Sequence, residues 1–300
     1  MSPTSVLIFL LLLYGVLIKC QKPFFDNKNL TVIKGNKTLS DVMCDSVLHH
    51  LDATDIIAEE ERIPTLLLGT FANLLQLKTI KLQNDRIERI EKGTFINLPK
   101  LKVINLNFNK IELLTEGIFN FLPVVQIHMR GNRIRYVEPE TFQNLQYLQD
   151  LDMMMNNIEK LPANMFENTT NLRKLNLSYN KIKTLPQLIF HMGFLNNPVG
   201  IDSYIDLGHN QINSLSPGLF KGVYYVKTIN LNNNLIDTIP DNIFSDIRDG
   251  ECADFSGNYL KNINQSTLDS LTKSFKIVDM HYNNFDDSMI LILNRTNVIY

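Results

Sequence analysis

Apolar residues recur along this chain in a fixed frame, L-x-x-L-x-L-x-x-N-x-L, which restarts about every 24 residues. A phenylalanine marks each interval, at Phe71, Phe95, Phe119, Phe142, Phe166, Phe190, Phe220 and Phe244, and Leu268 takes its place in the last one. The successive spacings are 24, 24, 23, 24, 24, 30, 24 and 24 residues. Such a constant period predicts a stack of similar units, each of which buries its apolar side against the next.

Within each unit, the segment x-L-x is predicted to be a short strand of a parallel sheet. Side chains alternate along a strand, so the leucine points into the stack and its two neighbours point outward. The outward position after the middle apolar residue is occupied by Lys81, Asn105, His128, Asp152, Asn176, Asp206, Asn230, Asp254 and Asp279. Stacking would place these nine side chains in one row across the sheet.

An asparagine follows each predicted strand. Its position is filled by Asp85 in the first clear unit and then by Asn109, Asn132, Asn156, Asn180, Asn210, Asn234, Asn258 and Asn283. An inward amide can pair backbone groups of adjacent turns, which would otherwise stay unpaired at a cost of about 1–3 kcal/mol each. We therefore expect a structural asparagine ladder, with one bond fewer at Asp85 because a carboxylate cannot donate.

With nine copies in phase, the region from Ile56 to Phe285 resembles the leucine-rich repeat family in its 24-residue extracellular variety, as in Toll-type ectodomains and secreted arthropod proteins. The resemblance implies an α/β repeat fold. It would be a right-handed, curved solenoid with a parallel β-sheet on the concave face and mostly irregular or short helical segments on the convex face. Many members close both ends with four-cysteine caps, whereas the flanks here contain only Cys44.

The repeat frame divides the chain into segments. Residues 1–20 have the uncharged apolar run of a secretory signal peptide. We expect an N-terminal cap over 21–55, a degenerate first repeat over 56–76, nine repeats over 77–285 and a C-terminal cap over 286–300. The long sixth interval carries six extra residues near 191–203, which is either an epitope loop or an insertion that a solenoid tolerates.

Charge and hydropathy limit the possible partners and location. After loss of residues 1–20 the chain keeps 28 Lys and Arg and 31 Asp and Glu, so its net charge is 28 − 31 = −3. That balance does not favour nucleic acid as a partner. No later stretch approaches the roughly 18 apolar residues of a membrane span. The sequence therefore predicts a secreted, extracellular protein.

The sequence contains no motif for a catalytic nucleophile, a metalloprotease or a phosphate-binding loop, so we expect neither an enzyme nor a cofactor. His128, Asp150 and Asp152 would lie close together on adjacent strands and could hold a cation, but such groups on an open sheet are more often solvated. We expect no metal site.

The outward rows favour protein binding instead. Aromatic, methionine and clustered acidic side chains suit a basic protein partner. The candidate contacts are Asp152, Met154, Met155, Tyr179, Tyr204, Asp206, His209, Asp254, Asp279 and Tyr282. Local packing against the next turn is the alternative, and for Tyr179 and Phe108 the two interpretations have equal weight.

Two further residue types bear on function. Cys44 and Cys252 would lie about 35 Å apart at about 4.8 Å per strand, too far for a disulfide. Cys252 is therefore either a shielded thiol or a disulfide link to a partner or a second copy. Acceptor sequences for N-linked sugars occur at Asn29, Asn36, Asn168, Asn176, Asn264 and Asn294.

These observations lead to one main hypothesis, a secreted, non-catalytic protein that binds an extracellular protein through its concave face. Resemblance to arthropod proteins of this kind implies innate immunity as the setting. The alternatives are a matrix or adhesion component and an inhibitor of a basic extracellular enzyme.

Overall fold

The computed structural model describes residues 31–32, 54–59, 63–191, 202–296 and 298–300. The predicted signal peptide, most of the predicted N-terminal cap and nearly all of the insertion near 191–203 lie outside these ranges. So do Asn29, Asn36 and Cys44.

Short strands make up most of the regular structure. In chain order they are β1 (Thr31–Val32), β2 (Asp55–Glu59), β3 (Thr65–Leu66), β4 (Phe71–Ala72), β5 (Thr79–Gln83), β6 (Arg89–Ile90), β7 (Phe95–Ile96), β8 (Val103–Asn105), β9 (Leu113–Leu114), β10 (Gln126–His128), β11 (Tyr136–Val137), β12 (Asp150–Asp152), β13 (Lys174–Asn176), β14 (Tyr204–Asp206), β15 (Thr228–Asn230), β16 (Gly250–Asp254), β17 (Phe275–Asp279) and β18 (Val298–Ile299).

Twelve strands of the described residues form one sheet, in the order β1-β2-β5-β8-β10-β12-β13-β14-β15-β16-β17-β18. Neighbours from β2 to β18 are parallel, and β1 pairs antiparallel with β2. Each turn of the chain therefore adds one strand beside the last. The predicted solenoid with a parallel sheet is confirmed.

The register aligns the repeat frame across the sheet. Ile127 pairs with Ile104 on one side and Leu151 on the other, and all three are fully buried. The residues that flank them are half-buried and face outward. A one-residue slip would turn every buried side chain to solvent, so the apolar pattern fixes this register.

Behind the sheet, the repeat phenylalanines form a second column of the core. Phe71, Phe95 and Phe119 stack with ring centroids 5.6 and 5.8 Å apart. The spacing suits offset aromatic pairs, each of which contributes about 0.5–1.5 kcal/mol beyond area burial. Three two-stranded parallel sheets, β3–β6, β4–β7 and β9–β11, join successive turns beside this column.

Two helices lie in the last part of the chain. The first, α1 (Gln265–Ser274), begins where the Asn264 side chain accepts a hydrogen bond from the Thr267 amide, and it buries Leu268 in the phenylalanine position. The second, α2 (Asp287–Leu293), is capped in the same way by Asp286. The remaining connections on the convex side of the described chain are mostly turns.

Candidate binding face

The row of outward residues that ends each strand is called here the exit row: Lys81, Asn105, His128, Asp152, Asn176, Asp206, Asn230, Asp254 and Asp279. In seven of them a side-chain oxygen accepts a hydrogen bond from the amide two residues further on, at 2.8–3.0 Å. Asp206 receives the Gly208 amide in this way, at 3.0 Å. These side chains close the turn that leaves each strand.

Sequence reasoning missed this structural role for the exit-row carboxylates, which it treated as free surface charges. A signal was present, because seven of the nine positions hold Asp or Asn, the residues that make such turns. Either residue supplies the accepting oxygen, so the turn alone does not explain why Asp206, Asp254 and Asp279 are acidic.

From β14 onward, the face is acidic. Asp254 lies directly opposite Asp279 on the adjacent parallel strand. The second oxygen of Asp254 accepts a hydrogen bond from Asn232 Nδ2 at 3.1 Å, and Asp206 accepts one from the Asn230 side chain. Neighbouring amides therefore hold these carboxylates in place on the sheet.

Few cationic groups lie in the same area of the described sheet: Lys276 is exposed within β17, Lys227 directly precedes β15, and His281 Nδ1 lies 2.8 Å from Asp279 Oδ1. The residues that open the exposed rows, called here the entry row, are Thr79, Val103, Gln126, Asp150, Lys174, Tyr204, Thr228, Cys252 and Ile277. From β14 to β17, neither the entry row nor the exit row contains Lys or Arg. The earlier strands differ, since Lys81 and Lys174 lie in these rows.

Burial perturbs two carboxyl groups of the exit row. It raises the pKa of Asp152 and of Asp206 above the ordinary value, because desolvation disfavours the charged form. The amide hydrogen bonds that each group accepts oppose this effect without cancelling it. Keeping these groups ionised in the folded protein thus costs free energy.

The residue before each ladder position forms a third row, called here the rim row: Asn84, Phe108, Gly131, Met155, Tyr179, His209, Asn233, Gly257 and Tyr282. Every member has a positive φ, between 49° and 68°. Glycine and asparagine adopt this left-handed conformation readily, but bulkier residues pay about 1–2 kcal/mol. The aromatic members therefore occupy a backbone position that does not favour them.

Rim-row side chains contact one another and remain accessible. The rings of Tyr179 and His209 stack with centroids 4.1 Å apart and planes 14° from parallel. The Arg130 guanidinium lies 6.0 Å from the Phe108 ring centre and donates to Met155 Sδ at 3.7 Å. Tyr179 therefore packs locally, as one of the two sequence-based alternatives predicts, and is still 47% exposed, so its contact with a partner stays a prediction.

The other predicted contacts also lie on this side of the sheet. Met154 is half-buried next to the rim row, and Tyr282 is 87% exposed at its far end. Tyr204 lies in the entry row with Lys174 Nζ 6.0 Å from its ring centre. Burial, together with the surrounding carboxylates, raises the pKa of Tyr204 to about 12.

Beneath the face, the ladder asparagines link consecutive turns. Asn180 Nδ2 donates to the carbonyls of Met153 and Leu177 at 3.1 and 3.0 Å, and its Oδ1 accepts from the Ile158 amide at 3.0 Å. The same pattern recurs at the other ladder asparagines, Asn109, Asn132, Asn156, Asn210, Asn234, Asn258 and Asn283. Asp85 is fully buried at the first position.

The candidate cation site has the geometry of an ion pair. His128 Nε2 lies 3.6 Å from Asp150 Oδ2, and this interaction with the carboxylate raises the pKa of His128 despite its burial. Within the part of the chain that the structure describes, no group of three or more His, Cys, Asp or Glu is arranged to hold a metal ion.

Cys252 is half-buried in the entry row. Burial raises its thiol pKa, and the charges of Asp254 and Asp279 add to the effect. A thiol in this environment is mostly protonated and a weak nucleophile at neutral pH.

No helix within the described ranges is long and apolar enough to cross a membrane.

Strands stacked one per turn, a buried asparagine ladder and an open face of outward rows define a repeat solenoid of the protein-interaction type. The chain belongs to the leucine-rich repeat family: the family model described as "Leucine rich repeat" matches residues 75–134, 124–182, 147–193 and 203–249. No curated protein sequence matches the chain significantly.

Solved structures with a similar fold include two of the Toll–Spatzle complex, described as a molecular hub in Drosophila development and innate immunity. In the glycosylated form, the match has 22% identity and a TM-score of 0.69 and covers 78% of this chain and 30% of that chain. In the other structure, the match has 21% identity and a TM-score of 0.63 and covers 82% of this chain and 36% of that chain. The chain thus spans about a third of the length of these relatives, and the likeness concerns the fold.

Proposed function

We propose that this chain is a secreted, non-catalytic binding protein and that the concave face from β14 to β17 contacts a basic extracellular protein. The observation that carries the proposal is the distribution of charge on that face. Asp206, Asp254 and Asp279 lie there, and no Lys or Arg accompanies them in the described entry and exit rows. A partner with clustered Lys or Arg would be steered to this surface and held in register.

Stability does not account for all of these carboxylates. Like charges directly opposite each other in a sheet are destabilising, and Asp254 faces Asp279 in this way. Asn230, which lies between Asp206 and Asp254 in the row, closes the equivalent turn without a charge. Asp279 also contacts His281 Nδ1 at 2.8 Å, which favours a carboxylate at that position. At Asp206 and Asp254 a sequence selected for stability alone would favour asparagine, so their acidity is better explained by binding.

The rim row supports the same function. Aromatic and methionine side chains are enriched where proteins bind, because they give a large apolar contact area. Tyr179 and Tyr282 hold exposed rings in a backbone conformation that favours glycine or asparagine. Strain of this kind is typical of functional positions.

The setting we propose is extracellular, with innate immune recognition as the process. The apolar run at the start of the chain and the six glycan acceptor sequences support secretion. The likeness in fold to chains of the Toll–Spatzle complex, described as a hub of innate immunity, supports the immune setting.

The test uses a fluorescent oligolysine peptide as the probe and measures its binding to the purified protein by anisotropy over a range of salt concentrations. The triple variant D206N/D254N/D279N removes three charges and keeps each accepting oxygen, so the turns stay closed. We expect its affinity to fall about tenfold at low salt, since each exposed ion pair contributes up to about 1 kcal/mol. The salt dependence should flatten as well.

The matched control is E88Q/E112Q/E159Q, which removes three exposed charges that lie outside the main sheet. It changes the net charge by the same amount and should weaken probe binding much less. Equal losses in the two triple variants would show that only net charge matters, and that result would overturn the proposed face.

A further inference from the structure

Among the glycan acceptor sequences, Asn176 has a distinct position. It ends β13, in the exit row, with Asp152 and Asp206 as its direct neighbours on the adjacent strands. A group attached to its side chain would stand on the concave face itself. The acceptor asparagines Asn168 and Asn264 lie outside the main sheet.

The hydrogen bonds of Asn176 leave its amide nitrogen available. Its Oδ1 accepts from the Ser178 amide at 3.0 Å and from the Ser178 hydroxyl at 2.7 Å. Its Nδ2 has no acceptor among the described residues. In contrast, Nδ2 of Asn168 donates to Asn144 at 3.0 Å, and Nδ2 of Asn264 donates to Asp241.

A sugar on this nitrogen is compatible with the fold. Asn176 is half-buried and belongs to an outward row, whereas the ladder residue Asn180, four positions later, is buried and donates to backbone carbonyls. A glycan on Asn176 would project from the open face and leave the core and the closed turn intact. The exit row contains this acceptor sequence only once, because Asn105 and Asn230 are each followed two residues later by asparagine.

We propose that Asn176 carries an N-linked glycan that divides the concave face into two separate binding surfaces. In the transfer, Nδ2 loses a proton and bonds to C1 of the first sugar of a lipid pyrophosphate-linked oligosaccharide, while the bond from C1 to the pyrophosphate oxygen breaks. The glycan then stands between the mixed-charge surface up to β12 and the acidic surface of β14 to β17. The inference rests on the proposed secretion, and it limits the proposed binding face on the side of β13.

The test is glycopeptide mapping of the secreted protein, with N176D and N230D as a matched pair. Both variants add one negative charge to the exit row and keep the oxygen that closes the turn, but only N176D removes an acceptor. We expect an occupied Asn176, loss of one glycan mass in N176D and no loss in N230D. An unmodified Asn176 beside an occupied Asn168 or Asn264 would overturn this inference and leave the proposed function standing.

If the protein stays inside secreting cells with every acceptor bare, both the inference and the proposed secretion are wrong. Binding of the oligolysine probe tests the division itself through D152N and D254N, which keep their turns and lie on opposite sides of Asn176. In the glycoprotein, D254N should lower affinity about threefold and D152N should leave it nearly unchanged. Equal effects of these two variants would overturn the division.

Discussion

The ring of Tyr179 lies on the imidazole of His209, with centroids 4.1 Å apart, although both residues have a left-handed backbone, with φ of 55° and 54°. Asn233 occupies the next position of the same row with φ of 49°, so asparagine suits this conformation. The stack recovers part of the free energy that the backbone costs.

Replacing Tyr179 by asparagine should therefore change stability little. The variant loses a stacking interaction of about 0.5–1.5 kcal/mol and gains relief of about 1–2 kcal/mol of backbone strain. We expect the free energy of unfolding, measured by chemical denaturation, to stay within about 1 kcal/mol of the wild type. A loss of more than about 2 kcal/mol would show that Tyr179 is retained for stability.

The ladder residue Asn180 should behave in the opposite way. Alanine at this position leaves the amide of Ile158 without its acceptor. It also removes one of two donors from the carbonyls of Met153 and Leu177, which keep the side chains of Asn156 and Asn210. At about 1–3 kcal/mol for the unpaired amide and about 0.5–1.5 kcal/mol for each lost hydrogen bond, N180A should lose about 3 kcal/mol of unfolding free energy.

Asn157 provides the control for N180A, because it is half-buried in the preceding turn and no side-chain hydrogen bond is recorded for it within the described residues. N157A should lose less than about 1 kcal/mol in the same denaturation experiment. Similar losses in N157A and N180A would contradict the ladder.

Asn180, Asp206 and Tyr179 also illustrate how much of the fold and of the binding face can be predicted from the sequence. The positions of Asn180 and Asp206 follow from the period, because a 24-residue frame assigns every inward and outward place. The left-handed backbone at Tyr179 does not follow, because aromatic residues rarely adopt it, whereas here every member of the rim row has this conformation. The turn closed by Asp206 was missed because a carboxylate on an outward position looks solvated, whereas here it accepts the Gly208 amide.

The repeat that contains Leu268, the last of the series, shows another limit of the apolar pattern. Leu268 replaces the phenylalanine of the frame and is fully buried as predicted from its position, but it lies in helix α1 and not in a turn. The Asn264 side chain accepts the Thr267 amide and starts this helix. The apolar period alone does not distinguish a helix from a turn at this place, because both bury the same residue.

The raised pKa of Asp206 predicts a pH-dependent effect of D206N. Between the unfolded and folded pKa values of this group, the folded state binds more protons, so wild-type stability falls as pH rises through that range. The D206N variant has no carboxyl group at this position, so its unfolding free energy does not fall in this way. The difference in unfolding free energy, D206N minus wild type, should therefore be more positive at pH 7 than at pH 3, as measured by urea denaturation. A difference that does not vary with pH would contradict the burial of this carboxylate.

Cys252 should react slowly with iodoacetamide at neutral pH. Burial and the carboxylates of Asp254 and Asp279 raise its thiol pKa, which lowers the fraction of thiolate. The pH at which alkylation reaches half its maximal rate should lie above that of free cysteine and shift downward in D254N. Alkylation as fast as that of free cysteine at pH 7 would contradict this environment.

The proposed function requires that a basic protein binds the concave face between β14 and β17. Zero-length carbodiimide crosslinking to the oligolysine probe, followed by peptide mapping, tests it most directly, because each crosslink joins a carboxylate to a lysine in contact with it. If the partner binds this face, crosslinks form at Asp206, Asp254 and Asp279 and disappear at high salt. Crosslinks confined to Glu88, Glu112 and Glu159, outside the main sheet, would contradict it.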